Sequence, residues 1–164
     1  MKPVLETKST YKGYPYVVLF MPGAYRCGYV GIPYSHKLAK KSVDDLGYLD
    51  CHGGVTYSEP FLHDCDDDDT WWIGFDCAHC FDGYDIEIAE QYFGEEPDFK
   101  KMLKIMGDYW RELNKNPDCK IHSLAYVKAE CKNSLTRLKR SDSGWIIKSL
   151  DRQKLLKQRI EKDS

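Results

Sequence analysis

The chain has 164 residues, with 24 Lys and Arg against 26 Asp and Glu, and its formal net charge is -2. This length suffices for one domain with its own hydrophobic core, and the near balance of charge gives no reason to infer nucleic-acid binding. The sequence contains no run of about 18 apolar residues and no apolar signal core near its first residue, which argues against a membrane span and against export. We therefore expect a soluble protein of the cytoplasm.

The first half of the chain has the pattern of β-strands. Two β-rich runs, Tyr16 to Met21 and Tyr25 to Ile32, flank Pro22-Gly23, and a Pro-Gly pair between such runs predicts a hairpin. The segment LGYLDCHGGVTYS indicates a further strand, broken at Gly53-Gly54 as a bulge or a close backbone approach would break it. TWWIGFD indicates a fourth strand.

The second half has the pattern of helices. Apolar residues recur every three or four positions in PDFKKMLKIMGDYWRELNKNP, which predicts an amphipathic helix that starts near Pro97 and stops at Asn116-Pro117. SLAYVKAECKNSLTRLKR predicts a second helix with Ser123 as its cap. The expected fold class is α+β, with an antiparallel sheet from the N-terminal half packed against two amphipathic helices from the C-terminal half. Residues 1–140 form one domain, and residues 141–164 form a basic tail or helix.

A candidate site comprises His52, Gly53, Gly54, Asp76 and His79. Glycines let backbone N–H groups approach a bound anion or carbonyl, and an imidazole beside them can move a proton near neutral pH. The aspartate, at D-x-x-H spacing, can orient an imidazole, so it forms an acid-base dyad with His79 or His52. The alternatives are a strand bulge with a structural histidine and an aspartate that caps a turn, and both stay open.

Trp71 and Trp72 point to opposite faces if both lie in a strand. One can then fill the core while the other offers a flat apolar platform for a ring or a base. For either tryptophan taken singly, packing in the core is the alternative.

The seven cysteines are expected to be reduced thiols. The stretch Cys77-Ala-His79-Cys80, together with Cys51, His52 and Cys65, contains enough ligands for zinc but lacks the paired C-x-x-C spacing of a zinc ribbon. We therefore expect no metal and no cofactor.

Four stretches in this order, GYVGIPYSH, CHGGVTYS, WWIGFDCAH and LAYVKAEC, resemble a family of small, poorly characterised proteins of phages and bacteria. The resemblance extends from about residue 28 to residue 138, and Cys80 departs from its pattern. It implies that one set of residues converges on a single pocket: His52, Gly53, Gly54, Thr56, Trp71, Trp72, Gly74, Asp76 and His79.

Three functions follow as hypotheses. The first is a protein that binds a small nucleotide-like ligand, in its narrowest form a phage-encoded sponge for an immune signalling nucleotide, since indole, backbone amides and polar groups suit a ring with a phosphate or ribose. The second is a hydrolase of phosphoester or glycosidic bonds with His52, Asp76 and His79 as its acid-base groups, although the sequence has no P-loop, G-x-S-x-G or H-E-x-x-H motif. The third is an interaction module that uses residues 141–164, a half-apolar segment that also leaves a homo-oligomer open.

Overall fold

The computed structural model describes residues 1–63, 65 and 69–142, with side chains as far as Leu138. Its five strands are β1 (Val4–Tyr11), β2 (Tyr14–Met21), β3 (Tyr25–Pro33), β4 (Tyr57–Glu59) and β5 (Thr70–Asp76). They form one antiparallel sheet in the order β1-β2-β3-β5-β4. A short 3-10 helix spans Asp44–Leu46, and the α-helices are α1 (Ile86–Phe93), α2 (Pro97–Asn114) and α3 (Leu124–Asp142). The predicted α+β class is confirmed.

All three helices cover the same face of the sheet. Alternation along β2 directs Val18 and Phe20 to this face. The long helix α3 packs across β2 and β3 with side chains spaced by one helical turn, namely Val127, Cys131, Leu135 and Leu138. Residues of α1 and α2 surround Phe20 at the other end of the face: Phe93, Phe99 and Trp110.

The opposite face of the sheet has its own apolar layer. Val17, Leu19 and Tyr29 point to it from β2 and β3, and Trp72 points to it from β5. Leu62, in the segment after β4, packs over them. Both faces of the central strands are therefore buried, which explains why β2 and β3 read as nearly continuous apolar runs.

Three local features differ from the sequence expectation. Residues 46–56, predicted as part of a strand, form turns, and only Tyr57–Glu59 pairs with β5. The positive φ of the hairpin turn falls on Ala24, at 64°, and not on Gly23. Strand β1 and helix α1 were not predicted, because β1 is a polar edge strand and α1 has only 8 residues.

None of the helices in the described part of the chain is long and apolar enough to cross a membrane. Asp64, residues 66–68 and residues 143–164 lie outside the described residues. The predicted basic tail falls almost wholly in the last of these segments.

Candidate functional site

Asp82, in the loop between β5 and α1, lies at the centre of a group of side chains that we call the histidine cluster. Its other members are His52, His79, His122 and Tyr126. One carboxylate oxygen of Asp82 is 3.0 Å from Nε2 of His52, and the other is 2.7 Å from Nε2 of His122. The backbone N–H of His79 donates to the same carboxylate at 2.8 Å. Only 6% of the Asp82 side chain is exposed.

Backbone pairing brings His122 to Asp82 although 40 residues separate them. The N–H of Gly83 donates to the carbonyl of Lys120 at 2.8 Å, and the N–H of Lys120 donates to the carbonyl of Phe81 at 2.9 Å. These two bonds hold the segment before α3 beside the loop of Asp82. Ser123 then caps α3, since its hydroxyl accepts from the N–H of Tyr126 at 3.2 Å, as predicted. Tyr126 consequently faces the cluster from the first turn of the helix.

The hydrogen bonds of the cluster fix the charge of Asp82. Burial by itself would raise the pKa of this carboxyl group, but the bonds from His52, from the backbone N–H of His79 and from His122 outweigh it, and the pKa lies below its ordinary value. An ionised carboxylate only accepts hydrogen bonds, so Nε2 of His52 carries a proton. In the neutral ring, Nδ1 then accepts from the hydroxyl of Tyr126, which is 3.0 Å away.

Gly53 makes room for the ring of His79. A Cβ atom on Gly53 would lie 2.0 Å from Cε1 of His79, which is far inside van der Waals contact. Gly53 also has φ +63°, a left-handed conformation that glycine adopts without steric cost. The glycine of the HGG motif therefore sets the position of an imidazole 26 residues further along the chain.

The structure brings His52, Gly53 and His79 together, as the sequence predicts. The two imidazole rings have centroids 5.7 Å apart. Asp76 lies at the edge of this group, where its carboxylate accepts from the N–H of Ala78 and is 3.7 Å from Nδ1 of His79. Asp76 thus caps a turn, and the carboxylate that is hydrogen-bonded to the imidazoles of His52 and His122 is Asp82.

The other candidate residues lie away from the cluster. Gly54 has φ +93° and donates its N–H to Cys51, and the exposed Thr56 donates its N–H to Gly74. Trp71 is buried under α3, where its indole N–H donates to the hydroxyl of Ser58 at 3.0 Å. Trp72 is buried on the opposite face.

No indole stands beside His52; among the described residues the ring of β5 next to it is Phe75, with centroids 6.3 Å apart. Trp71 precedes Phe75 by four strand residues, about 13 Å. The tryptophans therefore pack in the two apolar layers of the sheet, and the predicted platform beside the imidazole is wrong in position.

Three members of the cluster were missed in the sequence. Asp82 follows His79 by three residues, and that spacing was the one available signal for it. His122 and Tyr126 flank the predicted cap Ser123, and no spacing in the sequence links them to His52. Their position depends on how α3 docks on the sheet.

An apolar pocket opens next to the cluster, between the sheet and α3. It is small, with room inside for about one water molecule, and its apolar walls come from Val30, Val55, Ile73, Phe75 and Leu138. Cys51, the residue before His52, also lines it.

Three polar residues lie at this pocket. The guanidinium of Arg137 binds the carboxylate of Asp50 at 3.1 Å across its rim. The buried hydroxyl of Ser134 has no hydrogen-bond partner within the described ranges. The pocket thus combines an apolar interior with a few polar groups, as small-molecule sites do.

The cysteines considered as zinc ligands do not converge. Cys77 is buried on the face covered by the helices, Cys65 is buried on the opposite face, and Cys80 is exposed. Burial raises the pKa of Cys51 to about 11, so this thiol is neutral at physiological pH.

No family model, no curated protein and no solved structure matches this chain. The resemblance to small phage and bacterial proteins therefore stays a prediction.

Proposed function

We propose that the protein binds a small nucleotide-like molecule, with its ring at the mouth of the pocket between the sheet and α3 and its polar part toward His52. The observation that supports this most is the pocket itself, which shares Phe75 and Cys51 with the surroundings of the histidine cluster. A planar ring packed against Phe75 and Leu138 would remove apolar surface from water. This favours binding by roughly 25 cal/mol per Å² of apolar surface.

Polar groups at the pocket suit the hydrogen-bonding edge of such a ring. Ser134 offers a hydroxyl whose hydrogen-bonding capacity is unused within the described part of the chain. Asp50 accepts and Arg137 donates at the rim, where the two are paired. A ligand that satisfies Ser134 gains a bond without breaking an existing one. Sequestration of an immune signalling nucleotide is the narrowest form of this proposal, and its support is analogy with small phage proteins of this size.

A pair of variants on α3 tests the binding proposal. Ser134→Leu fills the pocket, whereas Asn133→Leu adds the same side chain one residue earlier, at an exposed position. The probes are the four ribonucleoside monophosphates and a panel of cyclic mono- and dinucleotides. A ligand present at 100 times its Kd raises the free energy of unfolding by about 2.7 kcal/mol. We expect thermal unfolding to shift for the wild type and for Asn133→Leu but not for Ser134→Leu. Equal shifts in all three proteins, or no shift with any probe, would contradict the proposal.

Hydrolysis of a phosphoester or glycosidic bond is a second candidate function. The observation that favours it is the chain of hydrogen bonds from the hydroxyl of Tyr126 through His52 to Asp82, with 3.0 Å at each step. In many catalytic sites the reacting side chain is hydrogen-bonded to a base, and a third group holds that base in its orientation. Tyr126 is 37% exposed, so a substrate can reach its hydroxyl. The test is product formation from nitrophenyl phosphodiesters and glycosides, which Tyr126→Phe should abolish while nucleotide binding persists.

The third hypothesis, an interaction module in residues 141–164, falls on residues that lie almost wholly outside the described part of the chain. It stays a prediction from the sequence.

A further inference from the structure

Three donor atoms of the histidine cluster face one another in a way that ligand binding in the pocket does not require. Nε2 of His52 and Nδ1 of His79 lie 3.0 Å and 3.3 Å from the same carboxylate oxygen of Asp82. All three donor atoms lie within 4.8 Å of one another. Two nitrogens and one oxygen therefore surround a single point.

These distances match the edges of a metal coordination shell. Zinc binds histidine nitrogen and carboxylate oxygen at about 2.0 to 2.1 Å, so neighbouring ligands of a tetrahedral ion stand about 3.3 Å apart. Two of the three donor separations, 3.0 and 3.3 Å, are close to this length, and the third is at most 4.8 Å.

The state of His79 is a second, independent observation. Its Nδ1 atom is buried and has no hydrogen-bond partner among the residues the structure describes, although two carboxylates lie nearby. A buried nitrogen left unsatisfied costs about 1 to 3 kcal/mol. Gly53 nevertheless leaves space for this ring, whose Nδ1 lies 3.3 Å from Asp82. An ion at the shared point would satisfy the nitrogen.

The groups behind the three donors are those that a metal site needs. The second ring nitrogen of His52 contacts the hydroxyl of Tyr126 at 3.0 Å, and the second oxygen of Asp82 contacts His122 at 2.7 Å. Such outer partners fix the orientation of metal ligands. When a metal takes Nε2 of His52, the proton of that atom is released or moves to Nδ1, which then donates to Tyr126.

We propose that His52, His79 and Asp82 form a binding site for a divalent transition-metal ion of the zinc class. Two imidazoles and one carboxylate suit zinc, iron, nickel or copper better than calcium or magnesium, which prefer all-oxygen shells. The site uses no thiolate and so differs from the cysteine-based site considered for the sequence. The side chain of His79 is 33% exposed, and this side offers a coordination position to water or a substrate. The inference goes beyond nucleotide binding and does not depend on it.

Zinc titration of tag-free, EDTA-stripped protein by isothermal calorimetry tests the site. We expect one zinc per wild-type chain. His79→Ala should bind zinc at least about 100-fold more weakly, because loss of a group that only supports a metal ligand costs up to about 100-fold in affinity. His63→Ala, at an exposed histidine outside the cluster, serves as the matched control and should bind as the wild type does. Ser134→Leu should keep full zinc affinity even where it loses nucleotide binding, so the two proposals fail separately.

A measurement on the wild type guards against a variant that does not fold. Long-range ¹H–¹⁵N spectra of the imidazoles should show zinc shifting Nε2 of His52 and Nδ1 of His79, with His36 and His63 unmoved. Three results would overturn the proposal: a stoichiometry other than one zinc per chain, equal zinc affinity of His79→Ala and the wild type, or zinc-induced shifts at His36 or His63 in place of those at His52 and His79.

Discussion

Two buried polar clusters lie side by side in this fold, and they differ in how completely their atoms are paired. In the first, Arg26 on β3 is 5% exposed and donates to Glu6 at 2.7 Å, to Asp85 at 2.7 Å and to the backbone carbonyl of His122 at 3.1 Å. Two carboxylates and a carbonyl thus surround one guanidinium. A buried charge held in this way is a structural element.

The histidine cluster is paired incompletely. Asp82 has a full set of donors, but Nδ1 of His79 has no partner within the described ranges, and part of the His79 ring faces solvent. His122 belongs to both clusters, since its carbonyl accepts from Arg26 and its ring contacts Asp82. The two clusters therefore differ in pairing: acceptors surround the Arg26 guanidinium, whereas Nδ1 of His79 has no hydrogen-bond partner among the described residues.

The largest expected effect follows from breaking the paired cluster. Arg26→Met leaves Glu6 and Asp85 without their cation, and removing one partner of a buried ion pair costs about 3 to 5 kcal/mol. Urea unfolding measures this loss. Arg111→Met, at an exposed pair with Asp108 on α2, is the matched control and should change the free energy of unfolding by less than about 1 kcal/mol. Equal losses in the two variants would show that the Arg26 cluster is not structural.

The next effect concerns the carboxylate of the histidine cluster. Asp82→Asn keeps the size of the side chain but loses the charge that accepts from His52 and His122, and we expect a loss of about 1 to 3 kcal/mol in EDTA. Because the folded pKa of Asp82 is lowered, its stabilisation is present above the ordinary value of 3.8 and is lost as the pH falls through the lowered value. The difference between wild type and variant should therefore shrink below that pH.

Asp108→Asn on the exposed surface of α2 gives the baseline for this comparison. A difference between wild type and Asp82→Asn that grows as the pH falls below 3.8 would show that the carboxylate is not held ionised by its neighbours.

Much of the fold was readable from the sequence because the signals were local. Strands β2 and β3 are apolar runs bounded by turn residues, and α2 and α3 show helical periodicity over many turns. Strand β1 was not predicted because its burial comes from pairing with β2 and not from its own composition. Residues 46–56 read as a strand, yet two left-handed glycines turn the chain there.

The candidate site was readable only in part. His52 and Gly53 were predicted because a titratable residue beside glycines is an unusual local pattern, and His79 was predicted from its D-x-x-H spacing to Asp76. Asp76 was predicted as the orienting carboxylate, and it lies 3.7 Å from Nδ1 of His79. Asp82 flanks His79 at the same spacing, lies closer at 3.3 Å, and is the aspartate that the fold turns inward. His122 and Tyr126 come from the start of α3, and their approach depends on the bonds between Lys120 and the loop of Asp82. No local pattern encodes such a contact.

A smaller expected effect distinguishes displacement of the His79 ring from backbone strain at the neighbouring glycines. Gly53→Ala and Gly54→Ala both place a side chain at positive φ, which costs about 1 to 2 kcal/mol each. Only at Gly53 does the added Cβ meet His79, whereas the Cβ at Gly54 meets no atom within 4 Å. Both variants should therefore unfold at lower urea concentration, and only Gly53→Ala should bind zinc more than about tenfold more weakly. Equal zinc affinities would show that Gly53 does not position the imidazole.

The smallest effect uses one thiol near each cluster as a reporter. Cys27 follows Arg26 on β3, and burial raises its pKa to about 12, so at pH 8 only about one molecule in 10⁴ carries the reactive thiolate. Cys80 follows His79 and is exposed. Iodoacetamide at pH 8, followed by mass spectrometry of peptides, should therefore label Cys80 first and leave Cys27 unmodified until the protein unfolds. Labelling of Cys80 should leave the unfolding midpoint unchanged, because its side chain is exposed. Early labelling of Cys27 would mean that the sheet near Arg26 opens as readily as the loop of the histidine cluster. The fully paired Arg26 cluster would then be no more rigid in solution than the incompletely paired histidine cluster.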